Sequence, residues 1–139
     1  MSQYHVIKDF PFREQDCLLA ALEDAGVPYE FSEKPLTLYD YHGLRRPEKA
    51  EFVVRRKHLE TSANDLGFAW DPAAGAYVTI ISDYDQGNEA RPAMRILNKV
   101  RQGYTVAAAI KQARRNGYTV VARTEAKTGA IHLRIAVGQ

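Results

Sequence analysis

The spacing of hydrophobic positions changes several times along the 139-residue chain, and each spacing predicts a type of element. Over residues 13–25, leucines and alanine recur at helical intervals, and Gly26 follows in the place of a left-handed C-terminal cap. Residues 4–8 form a short β-like run. We expect Pro11 to begin the helix, because proline suits the first helical turn. The first 26 residues therefore predict a strand followed by a helix.

The middle of the chain favours extended structure. Short runs separated by polar and proline-containing segments lie at residues 27–31, 36–41 and 51–57. Residues 67–70 and 76–82 flank a turn-rich stretch of hairpin length, so we expect them to pair antiparallel. Residues 58–66 carry few packing residues and predict an exposed loop.

The last third of the chain predicts helix and then hairpin. Apolar residues recur at helical intervals over 93–100 and again over 106–113. The spacing leaves open whether two helices form, or one helix with a bend at Gly103. Two alternating runs, residues 118–124 and 130–137, predict a terminal hairpin.

The order of these elements indicates the fold class. Hairpin-linked strand runs mixed with separate helices predict an α+β protein with a mainly antiparallel sheet and helices packed on one face. The chain is 45% hydrophobic and 26% charged, and its length suits a single domain over residues 1–139. The tetrapeptide Gly-Tyr-Thr-Val occurs at 103–106 and at 117–120. Because the copies precede different element types, we interpret the repeat as coincidence.

Composition excludes several classes of protein. No apolar run approaches the roughly 20 residues that span a bilayer, and the N-terminus lacks the apolar run of a signal peptide. We therefore expect a cytoplasmic protein without membrane association. The single cysteine, Cys17, permits neither an intramolecular disulfide nor a cysteine-based metal site.

The net charge of +2 conceals a division along the chain. Residues 1–90 carry 9 Lys and Arg against 16 Asp and Glu, a net charge of −7. Residues 91–139 carry 10 against 1, a net charge of +9. The basic positions predicted to lie on helix are Arg91, Arg95, Lys99, Lys111, Arg114 and Arg115, and the first three share one helical face.

Three interpretations of this basic set remain open. It could pack beside the acidic part of the same chain and leave a modestly charged surface. It could bind nucleic acid, because positive stripes release counterions from phosphates. It could also dock on an acidic protein partner.

A second charged segment combines aromatic and basic residues. Tyr39, Tyr41, Arg45 and Arg46 lie within eight residues, and such interleaving is typical of stacking platforms for nucleic acid. Tyr39 and Tyr41 also fall on one face of a predicted strand, where aromatic side chains are favoured for packing alone. Both interpretations stand.

The acidic segment at residues 83–89 is the best candidate for a general base or a metal site. Asp83, Tyr84 and Asp85 lie between a predicted strand and a predicted helix. The calcium-loop template fails because its twelfth position is Met94 instead of a bidentate glutamate. The alternative is that these carboxylates favour the positive N-terminal end of the helix. The four histidines are far apart and predict no metal site, and no motif predicts a cofactor.

Several blocks, distributed over most of the chain, resemble a known family. They are residues 1–8, 22–26, 65–68, 75–85, 103–104, 116–118 and 129–135. In order and spacing they resemble the hypothetical chloroplast open reading frame 35 family of plastids, cyanobacteria and other bacteria, which has no settled activity. Asp83-Tyr84 departs from the Asp-Trp pair that the resemblance leads us to expect, and residues 44–63 do not match. The resemblance implies no catalytic residue, and it implies partnership with AAA-type ATPases.

These observations together favour a non-enzymatic adaptor. We expect it to dock on a protein partner, such as an AAA-type ATPase, through the basic helix face at residues 91–115. A nucleic-acid-binding module is the alternative. A small enzyme that uses Asp83 or Asp85 as general base is the third interpretation.

Overall fold

The computed structural model of the protein describes residues 3–137, so Met1 and Ser2 of the first resembling block lie outside the described residues. The strands are β1 (Tyr4–Phe12), β2 (Glu30–Tyr39), β3 (Arg45–Val54), β4 (Leu66–Asp71), β5 (Ala76–Ser82), β6 (Tyr118–Glu125) and β7 (Ile131–Val137). The α-helices are α1 (Gln15–Ala25), α2 (Asp83–Gln86) and α3 (Pro92–Arg115). A single 3₁₀ turn, Arg56–His58, follows β3.

The strands form two separate antiparallel sheets. Five of them pair in the order β1-β5-β4-β3-β2, and β6 pairs only with β7. The β4–β5 hairpin and the terminal hairpin lie where the sequence predicts them. The predicted α+β class with a mainly antiparallel sheet is confirmed.

One face of the five-stranded sheet packs against α1 and α3. Phe12 and Phe68 meet edge to face with ring centroids 5.4 Å apart, and both are fully buried. Leu18 and Leu22 from α1 and Leu97 from α3 belong to the same buried cluster. Burial of these side chains, each contributing about 1.5–3 kcal/mol, holds both helices on this face.

The opposite face of the sheet is covered by the half of the β2–β3 hairpin that lies next to its turn. Leu38 and Ala50 from that half form a second buried cluster with Val53 and Ile80. A Cβ atom at Gly67 would lie only 2.8 Å from the Cβ of Ala50. The absence of a side chain at Gly67 therefore lets the hairpin curl back over the sheet.

The prediction that Pro11 begins a helix is wrong. β1 continues through Pro11 to Phe12, and α1 begins at Gln15. The register of β1 against β5 shifts between Ile7 and Phe12, and β1 is an edge strand. An irregular edge strand tolerates proline because a missing amide hydrogen there breaks no interior ladder.

Two further strand predictions need correction. Residues 27–31 and 36–41 are not separate strands, because β2 runs through the Ser-Glu-Lys-Pro segment with a register shift between Phe31 and Leu36. The next strand, predicted at 51–57, begins six residues earlier at Arg45 and ends at Val54. Proline and charged residues are accommodated because β2 lies at the other edge of the sheet.

The prediction of an exposed loop at residues 58–66 is also wrong. Ala63, Asn64 and Asp65 are at most 1% exposed. Residues 63–65 are buried despite their polarity, because the Asp65 carboxylate and the Asn64 side-chain amide oxygen accept hydrogen bonds from neighbouring backbone amides, whereas His58 and Thr61 are exposed.

The two helical patterns after residue 90 form one continuous helix, α3. Gly103 lies inside this helix and faces Ala21 of α1. No helix among the described residues is long and apolar enough to cross a membrane.

Candidate functional site

The acidic segment begins with the short helix α2, which is fixed by a buried polar cluster. The Ser82 hydroxyl accepts a hydrogen bond from the Asp85 amide at 3.1 Å and donates to Asp85 Oδ2 at 2.8 Å. The Asn64 amide also donates to Asp85 Oδ2, at 3.0 Å. Asp85 is 1% exposed. It therefore joins α2 to the buried loop and offers no accessible carboxylate to a substrate.

Asp83 has a different environment from Asp85. It is exposed, and its Oδ1 accepts hydrogen bonds from the amides of Gln3 and Tyr84 at 3.1 and 2.7 Å. The two carboxylates thus do not converge on one space. Among residues 3–137, no group of three His, Cys, Asp or Glu side chains could hold a metal ion.

Tyr84 links the acidic segment to the start of the basic helix. The Arg91 guanidinium carbon lies 3.7 Å from the centroid of the Tyr84 ring, which is cation–π distance. Arg91 Nη1 also donates to the Tyr84 hydroxyl at 2.8 Å, and this hydroxyl donates to Ser62 Oγ at 3.2 Å. Arg91 is therefore held against the protein immediately before α3 begins.

Two cations near the C-terminal end of α3 pair with carboxylates at the N-terminal end of α1. Lys111 Nζ lies 2.8 Å from Glu14 Oε2 and 2.9 Å from Asp16 Oδ2, and Arg115 Nη1 lies 3.5 Å from Glu14 Oε1. The hydrogen bonds from Lys111 lower the pKa of both carboxyls and raise the pKa of Lys111 itself. Arg123 of β6 similarly reaches Asp24 Oδ2 at 3.2 Å.

The three remaining basic residues of the predicted set have no such partners. Arg95, Lys99 and Arg114 are exposed, and none forms an ion pair within residues 3–137. Arg95 and Lys99 are four residues apart and so share a helical face. Lys99 also lines a cavity of about 470 Å³ between the two long helices and the β6–β7 hairpin, together with Arg123.

The predicted basic set is thus divided by the fold into three environments. Arg91 is bound to Tyr84, Lys111 and Arg115 are paired with α1, and the unpaired cations are Arg95, Lys99 and Arg114. The Arg95–Lys99 pair, which we call the docking pair, is the part of the set that is both clustered and available.

The aromatic and basic residues near the β2–β3 turn do not form one platform. Tyr39 is 40% exposed, whereas Tyr41 is half-buried and lies against His42 with ring centroids 3.9 Å apart. The Arg46 guanidinium carbon lies 6.0 Å from the Tyr4 ring, and Arg45 is exposed opposite Tyr39.

An ion-pair network that no sequence pattern predicted lies beside Tyr39. Arg55 binds Glu30 through two nitrogens, at 2.7 and 3.1 Å, and donates through Nη1 to the buried Asp65 at 2.8 Å. The hydrogen bond to Glu30 is the main reason that the Arg55 pKa is raised, and the same contact lowers the Glu30 pKa. The run Arg-Arg-Lys-His at residues 55–58 was the available sequence signal.

The fold and these sites define an α+β protein with a charged, mixed surface. Residues 21–134 match a family described as "Protein of unknown function (DUF1257)", and the chain belongs to that family. No curated protein and no solved structure matches the chain.

Proposed function

We propose that the protein is a non-enzymatic adaptor that binds an acidic protein partner through the docking pair, Arg95 and Lys99. The observation that carries this proposal is that these two cations are exposed, lie one helical turn apart and have no ion pair in the described chain. Uncompensated surface charge attracts an oppositely charged partner and accelerates encounter.

The surroundings of the docking pair support a protein partner. The neighbouring cavity is large enough to receive side chains of a bound segment, and Lys99 stands at its wall without an ion pair in the described chain, whereas Arg123 there is paired with Asp24. Arg91 precedes the docking pair by one helical turn and is held rigidly by Tyr84. A preorganised basic helix loses little entropy when it binds.

The partner class comes from the family resemblance. We infer that the family matched by residues 21–134 includes the hypothetical chloroplast open reading frame 35 proteins, and that the partner is an AAA-type ATPase. The order and spacing of the resembling blocks support this inference.

The first experiment compares partner capture by the intact chain and by the double variant Arg95→Glu with Lys99→Glu. We expect an AAA-type ATPase to be captured by the wild-type chain and its retention to fall at least about tenfold with the variant, because each substitution reverses a charge. The matched control is Lys127→Glu with Arg134→Glu, which reverses two exposed charges on the β6–β7 hairpin.

The outcomes separate the adaptor from the alternative. Equal retention of every partner by wild type and docking-pair variant would overturn the proposal. A labelled single-stranded RNA tests the nucleic-acid alternative by fluorescence anisotropy. Binding that weakens linearly on logarithmic axes of affinity and salt, and that disappears with the docking-pair variant, would replace the protein partner by nucleic acid.

A further inference from the structure

Two neighbouring cavities lie beside the turn that follows β3. Their volumes are about 410 and 200 Å³. Glu30, Arg55 and Lys57 line both of them, while Tyr39 lines the larger one and His58 the smaller one. Because they share three residues, we treat the two cavities as one open trough and call it the Arg55 trough. It is lined mainly by residues at the ends of β2 and in and next to the 3₁₀ turn, and neither residue of the docking pair is among them.

The floor of the Arg55 trough is fixed by one buried carboxylate. The Asp65 side chain is only 2% exposed. Its Oδ2 accepts hydrogen bonds from the Tyr39 amide at 2.9 Å and from Arg55 Nη1 at 2.8 Å. Its Oδ1 accepts from the Arg56 amide at 2.8 Å. Asp65 therefore holds three residues of the trough in fixed positions, as a preorganised binding site requires.

The trough has three basic side chains and two carboxylates, and both carboxylates bind Arg55. Both carboxylate oxygens of Glu30 accept hydrogen bonds from Arg55, and Asp65 is buried. Arg56 uses Nη1 to donate to the Thr61 carbonyl at 3.2 Å. Lys57 is exposed and has no ion pair within residues 3–137. Arg56 and Lys57 are thus available to an anion such as phosphate.

An aromatic ring stands beside these cations. Tyr39 is 40% exposed, and the Arg55 guanidinium carbon lies 5.8 Å from its ring centroid. Exposed aromatic rings next to basic side chains bind bases by stacking and phosphates by charge. A phosphate alone would use the cations and would make no use of the exposed ring.

We propose that the Arg55 trough binds a nucleotide, with its base stacked on Tyr39 and its phosphates at Arg56 and Lys57. The nucleotide is either free or part of a single strand, since both present a base and a phosphate. This activity is separate from docking on a protein partner, because it uses different residues.

The binding site is tested by NMR titration of the ¹⁵N-labelled full chain with ATP in the absence of magnesium. We expect the amide signals of Tyr39 and of residues 55–58 to shift with increasing ATP. The docking pair serves as an internal reference, and its amide signals should not move. Shifts confined to α3, or no shifts, would overturn the proposal.

Variants of the trough test which side chains contact the base and which contact the phosphates. Lys57→Gln and the double variant Arg56→Gln with Lys57→Gln should weaken ATP binding by about tenfold or more, because charge-assisted contacts are lost. The single variant removes no side-chain hydrogen bond or ion pair within residues 3–137, so it tests the phosphate role even if the double variant unfolds. Tyr39→Leu should weaken binding by about tenfold, whereas Tyr39→Phe retains the ring and should bind within about twofold of wild type. Unchanged affinity in Lys57→Gln would contradict the phosphate role.

Three further ligands test whether the trough recognises both the base and the phosphates, and whether the bound nucleotide is free or part of a strand. Inorganic tripolyphosphate lacks the base and adenosine lacks the phosphates, so each should bind at least about tenfold more weakly than ATP. Equal binding of either would overturn the two-part site. A short single-stranded RNA that binds more tightly than ATP, and loses affinity in Lys57→Gln, identifies a strand as the source. Weaker RNA binding identifies the free nucleotide. The control Lys127→Gln with Arg134→Gln should bind every ligand like wild type.

Discussion

A Cβ atom added at Gly103 of α3 would lie 3.2 Å from the Cα of Ala21 in α1, so the two helices meet backbone to backbone at this pair. Ala21 is fully buried. Such a close approach requires small residues on both helices. Leu22 and Val100, which are also fully buried, lie next to this contact in the sequence and depend on the same helix separation.

We expect Gly103→Leu to lower the free energy of unfolding by about 2 kcal/mol or more, because a large side chain would force the helices apart. Ala109→Leu adds the same side chain at an exposed position of α3 and should change stability by about 0.5 kcal/mol or less. Urea denaturation followed by circular dichroism measures both variants. Equal stability of Gly103→Leu and Ala109→Leu would contradict the close contact.

Gly103 also shows why part of the fold escapes prediction. Apolar spacing predicts helix on both sides of it, and the structure has that helix as one piece. Glycine lowers helix propensity, which is why the sequence leaves a bend open. Only the contact with α1 explains the glycine, and that contact joins residues 82 positions apart.

The repeated tetrapeptide also shows that a short local sequence does not determine its own secondary structure. Gly-Tyr-Thr-Val lies within α3 at 103–106 and leads into β6 at 117–120. The predicted difference in element type is confirmed. Gly117 has a positive φ of 80° and ends the helix, whereas Gly103 does not. The type of secondary structure therefore follows from the hydrophobic spacing of the flanking residues, and the tetrapeptide itself does not determine it.

The polarity of residues 58–66 predicts that Asp65 is exposed, but Asp65 is buried. A stretch of polar residues is typical of an exposed loop, but here the carboxylate satisfies three donors inside the protein. Because its partners come from two other segments, at residue 39 and at residues 55–56, no local pattern could identify it. The run of basic residues at 55–58 was visible in the sequence, but its position beside Tyr39 depends on the fold.

Loss of charge at Asp65 should be costly. In Asp65→Asn one acceptor oxygen becomes a donor, so the amides of Tyr39 and Arg56 and the Arg55 guanidinium can no longer all be satisfied. We expect the free energy of unfolding to fall by about 3 kcal/mol, the usual cost of breaking a buried charged network.

The matched control for Asp65→Asn is Asp24→Asn. The Asp24 side chain is 53% exposed and pairs with the 44% exposed Arg123. Its loss should change stability by about 0.5 kcal/mol or less, as for other surface ion pairs. Similar losses in the two variants, measured by urea denaturation, would mean that Asp65 is not the organiser of its segment.

Lys111 should control the titration of two carboxyls at the N-terminal end of α1. Glu14 and Asp16 have ordinary pKa values of 4.5 and 3.8, and hydrogen bonds from Lys111 lower both pKa values in the folded protein. A lowered folded-state pKa stabilises the protein above the unfolded value, and this stabilisation disappears as the pH falls through the folded value. The effect is therefore present at neutral pH and is lost in acid.

The variant Lys111→Gln tests this coupling. NMR titration of the side-chain carboxyl carbons should show both pKa values moving up toward their ordinary values. The variant should also lose less stability than wild type when the pH is taken from neutral to below the ordinary carboxyl values. Lys127→Gln removes an exposed lysine elsewhere and should leave both carboxyls unchanged. Unchanged pKa values in Lys111→Gln would remove the assigned cause.

The Cys17 thiol should react slowly with thiol reagents in the folded protein, and its reaction rate should report whether α1 and α3 remain packed together. It is 3% exposed on α1, and burial, followed by the charge of Asp16, raises its pKa above the ordinary 9.0. Reaction with a thiol reagent needs an exposed thiolate, so at about pH 8 it should be at least about 100-fold slower than in the urea-unfolded chain. Gly103→Leu should accelerate it because separation of the helices uncovers α1, whereas Ala109→Leu should not. A reaction as fast as in the unfolded chain would show that α1 does not protect Cys17.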